Sequence, residues 1–115
     1  MARTPQEIFQ HHAEALVAGD LDEILVDYND DAVLITPSGA VRGKDGVRQA
    51  FVDLLAVIPD AKWDVPTRIF ENDVLFIEWT AETATTRVRD GIDTFVFAGD
   101  GIRVQTVRFT PEAVS

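Results

Sequence analysis

The sequence predicts an α+β domain in which three N-terminal helices pack on a curved, mainly antiparallel six-stranded sheet. Segments with helical spacing of apolar residues fill most of the chain up to residue 58. Segments that alternate at period two follow them as far as residue 110. Helices grouped at one end of a chain and strands at the other are typical of the α+β class. No linker, repeat or low-complexity tract interrupts the 115 residues, so we expect one domain, residues 1–115.

The first two helices have clear start and stop signals. The string "TPQE" at residues 4–7 is a capping box with Pro5 at the first helical position, and Gly19 is a typical helix end. Asp20, with Glu23 three residues later, predicts the cap of a second, short helix. We expect helix one to end near residue 18 and helix two to carry Leu21, Ile24, Leu25 and Tyr28.

The remaining elements follow from periodicity and breakers. Residues 33–36 predict a first strand, and "PSGAVRG" predicts a turn through a short second strand. A third amphipathic helix spans residues 47–58 and is stopped by Pro59. Four longer strands follow at residues 63–70, 74–83, 92–97 and 102–110. The stretch "ATTRVRDG" lacks a clear pattern and is expected to be a connection.

Composition excludes several classes of function. Twenty acidic and ten basic residues give a net charge of −10, which disfavours nucleic acid and anionic membranes as partners. No cysteine is present, so a disulfide framework and a thiolate nucleophile are excluded. No cluster has metal-ligand spacing, and we expect no metal and no cofactor. Without a secretory signal pattern or a long apolar run, we expect a cytoplasmic protein.

Several strands carry large apolar residues on both alternating faces. Phe76 alternates with Ile77 and Trp79, while Phe95 alternates with Val96. A sheet of this kind needs cover on both sides, and the helices supply only one cover. We therefore expect a homodimer through the outer face of the sheet, near Trp79.

The strings "AGDLDEILVDYNDDAVLITPSG", "VRGKDGVRQAF" and "DGIDTFVFAGDGIRVQTVRF", with the order of elements, resemble the nuclear transport factor 2-like superfamily. The resemblance covers nearly the whole chain and is strongest to the ketosteroid-isomerase-like and SnoaL-like branches. It implies a cone-like fold that hosts isomerases, cyclases, dehydratases, epoxide hydrolases and binding domains. Function must therefore be argued from the site.

The resemblance also implies site positions. In the isomerase pattern, a tyrosine on helix one and a neutral aspartic acid on a late strand hold the substrate oxygen, while an aspartate after the first strand moves the proton. Carried over residue by residue, these positions fall on His12, Asp93 and Thr36. A threonine hydroxyl is far too weak an acid to shuttle a carbon-bound proton, so Thr36 disfavours ketosteroid isomerase activity.

His12 and Asp93 each have two interpretations. His12 lies on the apolar stripe of helix one, either as an ordinary core residue or as a donor, acid or base in a pocket. Asp93 shares a strand face with Phe95, so its carboxyl must be paired, hydrogen-bonded or neutral. We expect a pocket role and a raised pKa with a largely protonated carboxyl; the alternatives are ion pairs with His12 or with Arg103 or Arg108.

The other predicted site residues complete a hydrophobic pocket. Glu78 is either a displaced catalytic base or a solvated carboxylate at the rim. Tyr28 is expected to pack on the first strand, with its hydroxyl near the pocket edge. Five phenylalanines are expected to form the apolar wall: Phe51, Phe76, Phe95, Phe97 and Phe109.

The sequence leaves two functions open. The first is a cofactor-free acid–base enzyme of the isomerase, cyclase or lyase type, acting on a hydrophobic small molecule that bears oxygen. The second is a non-catalytic ligand-binding or dimerisation domain of the same fold. One closed cavity of roughly 300 Å³ or more that both Asp93 and His12 face would favour the enzyme, whereas plugging by side chains and ion pairing of the two residues would favour the binding domain.

Overall fold

The computed structural model describes residues 3–114. Its helices are α1 Pro5–Ala18, α2 Leu21–Val26 and α3 Gly43–Val57. Its strands are β1 Tyr28–Thr36, β2 Gly39–Arg42, β3 Lys62–Glu71, β4 Val74–Glu82, β5 Thr86–Ala98, β6 Gly101–Arg108 and β7 Pro111–Ala113. The predicted α+β class is confirmed, as is the predicted order in which two strands, β1 and β2, separate α2 from α3 and the other strands follow.

The strands form one mixed sheet in the order β2-β1-β6-β5-β4-β3, with β7 paired to β5 off this path. Only the β1–β6 pair is parallel among the pairs of the described residues. The sequence did not predict β7, whose three residues pair with Thr86–Val88 at the start of β5. A strand this short is stabilised by long-range pairing, which a local pattern does not reveal.

The helix boundaries follow the predicted caps. The Thr4 side chain accepts from the Glu7 backbone and Glu7 accepts from that of Thr4, while Gly19 ends α1 at a φ of 67°. At the start of α2, Asp20 accepts from the backbone nitrogen of Glu23 at 3.2 Å. However, α2 ends at Val26, and Tyr28 is the first residue of β1 rather than part of the helix.

Two strands are longer than predicted because they pair with distant segments. β1 begins at Tyr28, beside Ile102 of β6, five residues before the predicted start. β5 begins at Thr86, inside the stretch expected to be a connection, where β4 and β7 flank it. Tertiary pairing therefore decided both strand starts.

The sheet has an inner face that packs on the helices and an opposite, outer face. Along β4, Leu75, Ile77 and Trp79 are buried on the inner face, whereas Phe76 and Glu78 alternate onto the outer face. The helices cover the inner face, and Phe9 of α1 meets Phe95 of β5 with ring centroids 5.7 Å apart. Trp79 was therefore wrongly assigned to the outer face. Within residues 3–114, no helix is long and apolar enough to cross a membrane.

Candidate functional site

A cavity of about 110 Å³ lies between α1, α3 and the inner face of the sheet. Its wall is mainly apolar, and the polar side chains that line it include His12, Thr36, Asp93 and Gln105. The exposed Val17 is also part of the lining, so the cavity reaches the surface beside the last turn of α1. His12, Thr36 and Asp93, which the sequence placed together, therefore share one cavity. Its volume is well below the roughly 300 Å³ named above as the threshold that would favour the enzyme, and the cavity is not closed.

Asp93 is held by two nitrogen donors at the cavity wall. It lies in the middle of β5, opposite Ile77 of β4 and Val107 of β6, and is 6% exposed. Its Oδ1 accepts from the indole Nε1 of Trp79 at 2.8 Å. Its Oδ2 accepts from Nε2 of Gln105 at 2.9 Å. Each carboxyl oxygen thus has one fixed donor.

Burial dominates the electrostatics of Asp93. Desolvation raises the pKa of the Asp93 carboxyl to about 6, although the hydrogen bonds from Trp79 and Gln105 lower it in part. The expected direction of the shift is confirmed. At pH 7 a pKa of about 6 leaves the charged form in the majority, whereas a largely protonated carboxyl was expected. Asp93 therefore changes charge close to physiological pH.

The alternative ion pairs of Asp93 do not occur. Arg103 lies 3.8 Å from Asp31, and Arg108 lies 3.8 Å from Asp90, both among exposed side chains. His12 makes no salt bridge within the described residues. Since no cation of residues 3–114 forms a salt bridge with Asp93, its carboxyl relies on the two neutral donors there.

Tyr28 supports Asp93 indirectly. Its hydroxyl donates to Oε1 of Gln105, whose amide nitrogen donates onward to Asp93. Burial raises the pKa of Tyr28 well above its ordinary value, so the hydroxyl keeps its proton. Tyr28 is not part of the cavity wall, contrary to the substrate-binding role expected for it. It orients the amide behind the wall instead.

His12 is buried in an aromatic cluster. Its ring centroid lies between 5.5 and 6.2 Å from those of Phe9, Tyr28, Phe51 and Phe95. Desolvation lowers the pKa of the imidazole to about 4, so His12 is neutral at physiological pH. Its Nδ1 has no hydrogen-bond partner within residues 3–114. A neutral imidazole still carries one N–H that can donate to a ligand.

Thr36 lines the cavity at the end of β1, but its hydroxyl also serves the adjacent turn. Oγ1 accepts from the backbone nitrogen of Ser38 at 3.1 Å, and Thr36 pairs with Gly39 across the turn. The position matches the base of the isomerase pattern, yet a hydroxyl there can only donate or accept a hydrogen bond.

Glu78 lies outside the site and was wrongly included among the catalytic residues. It alternates onto the outer face of β4, is exposed, and accepts from the Thr67 hydroxyl at 2.7 Å. Phe76 shares that outer face and is likewise not part of the wall. Phe97 is buried but stacks against Phe95 at 6.2 Å without lining the cavity. The predicted wall residues that do line it are Phe51, Phe95 and Phe109.

Sequence reasoning missed Trp79 and Gln105 as partners of Asp93. Gln105 occurs at the same strand parity as Val107 and Phe109, so an amide on an apolar face was a visible signal. Trp79 gave no comparable signal, because alternation alone does not distinguish the inner face from the outer one.

Metal ligation receives no support from the described residues. Within residues 3–114 no group of three or more His, Cys, Asp or Glu side chains is arranged to hold a metal ion. Asp93 and His12 are the titratable side chains that line the cavity, and one carboxyl with one imidazole does not form a metal-ligand set.

Residues 9–105 match the model of the SnoaL-like domain family. The chain belongs to the SnoaL-like domain family. Its three helices on a curved, mainly antiparallel sheet form the nuclear transport factor 2-like cone fold that the sequence resemblance implied. No protein with a curated description matches the chain in sequence.

Solved structures share this SnoaL-like fold at low sequence identity. A SnoaL-like protein of unknown function from Burkholderia thailandensis is 23% identical with a TM-score of 0.74, over 91% of this chain and 92% of that one. IdmH, a proposed polyketide cyclase from Streptomyces antibioticus, is 16% identical with a TM-score of 0.75, over 93% and 92%. A de novo designed protein with a curved β-sheet is 14% identical with a TM-score of 0.79, over 94% and 88%. Such likeness establishes the fold and leaves the chemistry to the site.

Proposed function

We propose that this SnoaL-like protein binds a small hydrophobic molecule bearing oxygen and acts on it as a cofactor-free acid–base enzyme of the isomerase, cyclase or lyase type. The observation that carries the proposal is Asp93, a buried carboxyl with a pKa raised to about 6 on the wall of an apolar cavity. Perturbed titratable groups that face a cavity are typical of catalytic sites.

Asp93 has the properties of a general base. A base works best when its pKa lies near the working pH, and a pKa of about 6 leaves the carboxylate form dominant at pH 7. Trp79 and Gln105 each occupy one position on the carboxylate, so lone pairs remain on both oxygens. One of these can accept a proton from carbon or hydroxyl of the ligand, and the conjugate acid can return it.

His12 is suited to hold the ligand oxygen. Because its pKa is lowered to about 4, the imidazole is a neutral hydrogen-bond donor rather than a cation. A neutral donor in a mainly apolar cavity stabilises the negative charge that develops on a carbonyl or epoxide oxygen when Asp93 removes a proton. The two residues would thus act on one ligand from different elements, α1 and β5.

The cavity volume limits the ligand to about one ring. An apolar protein cavity of about 150 Å³ is known to hold benzene, while drug-sized ligands occupy pockets of about 300–1,000 Å³. At about 110 Å³, this cavity fits a single-ring ketone, enone or epoxide rather than a four-ring steroid.

A second function, ligand binding without turnover, is favoured by Thr36. The isomerase pattern has a carboxylate at this position, whereas here a hydroxyl is bonded to the Ser38 backbone. A site with one carboxylate can bind an oxygen-bearing ligand through a hydrogen bond without moving a carbon-bound proton.

Deuterium exchange tests the enzyme proposal at the proton-transfer step, whatever the final product of the reaction is. Single-ring probes such as cyclohexanone, cyclohex-2-enone and cyclohexene oxide are first screened by thermal shift. Ketones that bind are then incubated in D₂O, and proton NMR follows loss of the hydrogens next to the carbonyl. We expect catalysed exchange by the wild type, its loss in Asp93→Asn, and no change in Glu78→Gln, which alters a carboxylate on the outer face.

The three outcomes are distinct. Exchange that depends on Asp93 supports the enzyme. Binding without exchange supports the second function, provided that Asp93→Asn alters the affinity. Exchange that persists in Asp93→Asn would mean that another group is the base.

A further inference from the structure

We propose that Gly91 is a positioning residue for this site: the absence of a side chain there lets the Trp79 indole lie across β5 and reach Asp93. The importance of this arrangement rests on the proposed function, in which Asp93 is the acid–base group. The arrangement itself can be tested in the resting protein.

The Trp79 ring lies directly on the Gly91 backbone. The two residues are paired across β4 and β5. A Cβ atom added to Gly91 would lie 2.2 Å from both Cδ2 and Cε2 of the indole and 2.7 Å from Nε1. These distances are far below the carbon–carbon contacts of about 3.5–4.0 Å that are favourable in proteins. Any side chain at position 91 would therefore occupy the space of the indole.

The indole has little freedom to adapt. Trp79 is 5% exposed, and its ring is flanked by Trp63 at 5.4 Å and by Phe109 at 5.5 Å between centroids. To restore an ordinary contact, a Cβ at position 91 would have to displace the ring by more than about 1 Å. A close-packed aromatic cluster resists such a movement.

The position of the ring determines the bond to Asp93. Gly91 and Asp93 are two residues apart on β5, so both present the same, inner face. An indole that rests on Gly91 extends along the strand toward the carboxyl, and Nε1 donates to Oδ1 at 2.8 Å. Displacing the ring from Gly91 would carry Nε1 away from this acceptor.

A β-bulge next to Gly91 belongs to the same arrangement. The register changes from Trp79↔Gly91 to Ala81↔Val88, so β5 has one extra residue in this interval. Asp90, one of the two residues in this interval, accepts from the backbone nitrogen of Thr110 at 2.8 Å, which ties the bulge to the segment after β6. Bulges beside functional sites commonly re-aim a side chain, and a glycine inside a strand often marks a close approach of this kind.

The decisive measurement is the titration of Asp93 by carbon-13 NMR in protein without ligand. We expect Gly91→Ala and Trp79→Phe each to raise the pKa of Asp93 by about 1 unit, since each removes a hydrogen bond to the charged form. The double variant should show no further rise, because both changes remove the same bond. Ile92→Ala, which alters the outward-facing neighbour, should leave the pKa of Asp93 unchanged.

A second readout follows the indole itself. In the wild type, the Nε1–H resonance of Trp79 should titrate with the same midpoint as Asp93, and this response should disappear in Gly91→Ala. If Gly91→Ala does not fold, Asp90→Ala replaces it, because Asp90 is a surface residue whose loss should leave the protein folded. Without the bond from Thr110 the bulge should loosen, and the Asp93 pKa and the Trp79 Nε1–H response should change in the same direction as in Gly91→Ala.

An unchanged Asp93 pKa and indole response in folded Gly91→Ala, or in Asp90→Ala where the first variant does not fold, would overturn the proposal. Since no substrate is involved, its failure is separate from failure of the proposed function. If the Trp79–Asp93 bond is lost in Gly91→Ala but the wild type catalyses no deuterium exchange, Gly91 positions the indole and the proposed enzyme activity is rejected.

Discussion

Gln105 donates from Nε2 to Oδ2 of Asp93 at 2.9 Å. A carboxamide has one donor end and one acceptor end, and the Tyr28 hydroxyl proton occupies the acceptor end of this one. The donor end must therefore face the carboxylate. The electrostatics of the cavity wall thus depend on Tyr28, a residue of β1 that lies behind the wall.

Removing the amide should disturb both of its neighbours. In Gln105→Leu, Asp93 loses a hydrogen bond that lowers its pKa, so carbon-13 NMR should show the pKa rising further above about 6. The free energy of unfolding should fall by about 1–3 kcal/mol because the buried Tyr28 hydroxyl loses its acceptor. Thr106→Ala, an exposed position on the same strand, is the matched control. An unaltered Asp93 titration in Gln105→Leu contradicts the arrangement.

Asp93 and His12 should have opposite effects on stability in acid. Folding raises the pKa of Asp93 from 3.8 to about 6. The contribution of Asp93 to the free energy of unfolding therefore falls by about 3 kcal/mol as pH rises through that window. Folding lowers the pKa of His12 from 6.5 to about 4, so its contribution rises by about 3 kcal/mol over nearly the same window. In the wild type, the two slopes should largely cancel.

Single variants separate the two slopes in urea unfolding at pH 4 and pH 6.5. Relative to wild type, Asp93→Asn should gain about 3 kcal/mol of stability between pH 4 and pH 6.5, whereas His12→Phe should lose about as much. Variants whose stability runs parallel to wild type across this range would show that neither group is perturbed by burial.

The adjacent histidines should titrate on opposite sides of the ordinary value of 6.5. His11 donates from Nδ1 to Oδ2 of Asp27 at 2.7 Å, and this bond raises the pKa of His11. Its contribution to stability is present below pH 6.5 and is lost as pH rises through the higher folded pKa. Burial instead lowers the pKa of His12 to about 4. Two-dimensional NMR of the imidazole rings measures both, and overlapping midpoints would contradict the structure.

Asp27→Asn supplies the control for the His11 titration. Asp27 is fully buried and also accepts from Nη1 of Arg3 at 2.8 Å. Its neutralisation should return the pKa of His11 toward 6.5 and leave the sign of the His12 shift unchanged, because burial is its largest cause. Stability should fall by about 1–3 kcal/mol, since the fully buried side chain loses its charged hydrogen bonds to Arg3 and His11, while the partly exposed Arg3 keeps Asp100.

Thr36 leads to a prediction about a substrate that the protein should not convert. The wild type should be inert toward a β,γ-unsaturated ketosteroid, since Thr36 cannot move the proton and the cavity is only about 110 Å³. In Thr36→Asp, a second carboxylate on the same cavity should raise the pKa of Asp93 further by like-charge repulsion. Ultraviolet absorbance of the conjugated ketone and carbon-13 NMR test the two statements. Ready isomerisation by the wild type would show that the cavity admits a four-ring ligand and that a group other than Thr36 moves the proton.

The sequence predicted the elements whose signals are local. The capping box at Thr4 and the glycine at position 19 define α1 by neighbouring residues alone, and both agree with the structure. Tyr28 and Thr86 begin strands because of partners far along the chain, and local periodicity does not contain that information. The same distinction applies to the site.

Site residues followed the same division. His12 and Asp93 were recognisable because a titratable group on an apolar stripe must be satisfied or functional. Glu78 was misplaced because strand alternation gives two faces without saying which one the helices cover. Which face is inside depends on packing between β4 and distant helices. Glu78 was therefore predicted on the inner face and Trp79 on the outer face, the reverse of their positions in the structure.

The outer face of the sheet leads to the last prediction, a homodimer. One cross-strand row on this face runs from β3 to β1 in register: Ile69, Phe76, Thr94, Thr106 and Ile35. Ile69 is 58% exposed and Ile92, on the same face, is 38% exposed. The helices of residues 3–114 pack on the opposite, inner face, and exposed apolar side chains grouped on one sheet face are typical of a protein interface.

A second copy of the chain can cover this face with its own identical row, and a stable interface requires about 800 Å² from each partner. We expect light scattering to give a dimer at micromolar concentration, and Ile69→Lys or Phe76→Asp to shift it to monomer. Val26→Lys changes an exposed apolar residue at the end of α2 and should leave the dimer intact. A monomeric wild type would mean that the chain does not dimerise. A dimer that persists in both Ile69→Lys and Phe76→Asp would mean that a different surface forms the interface.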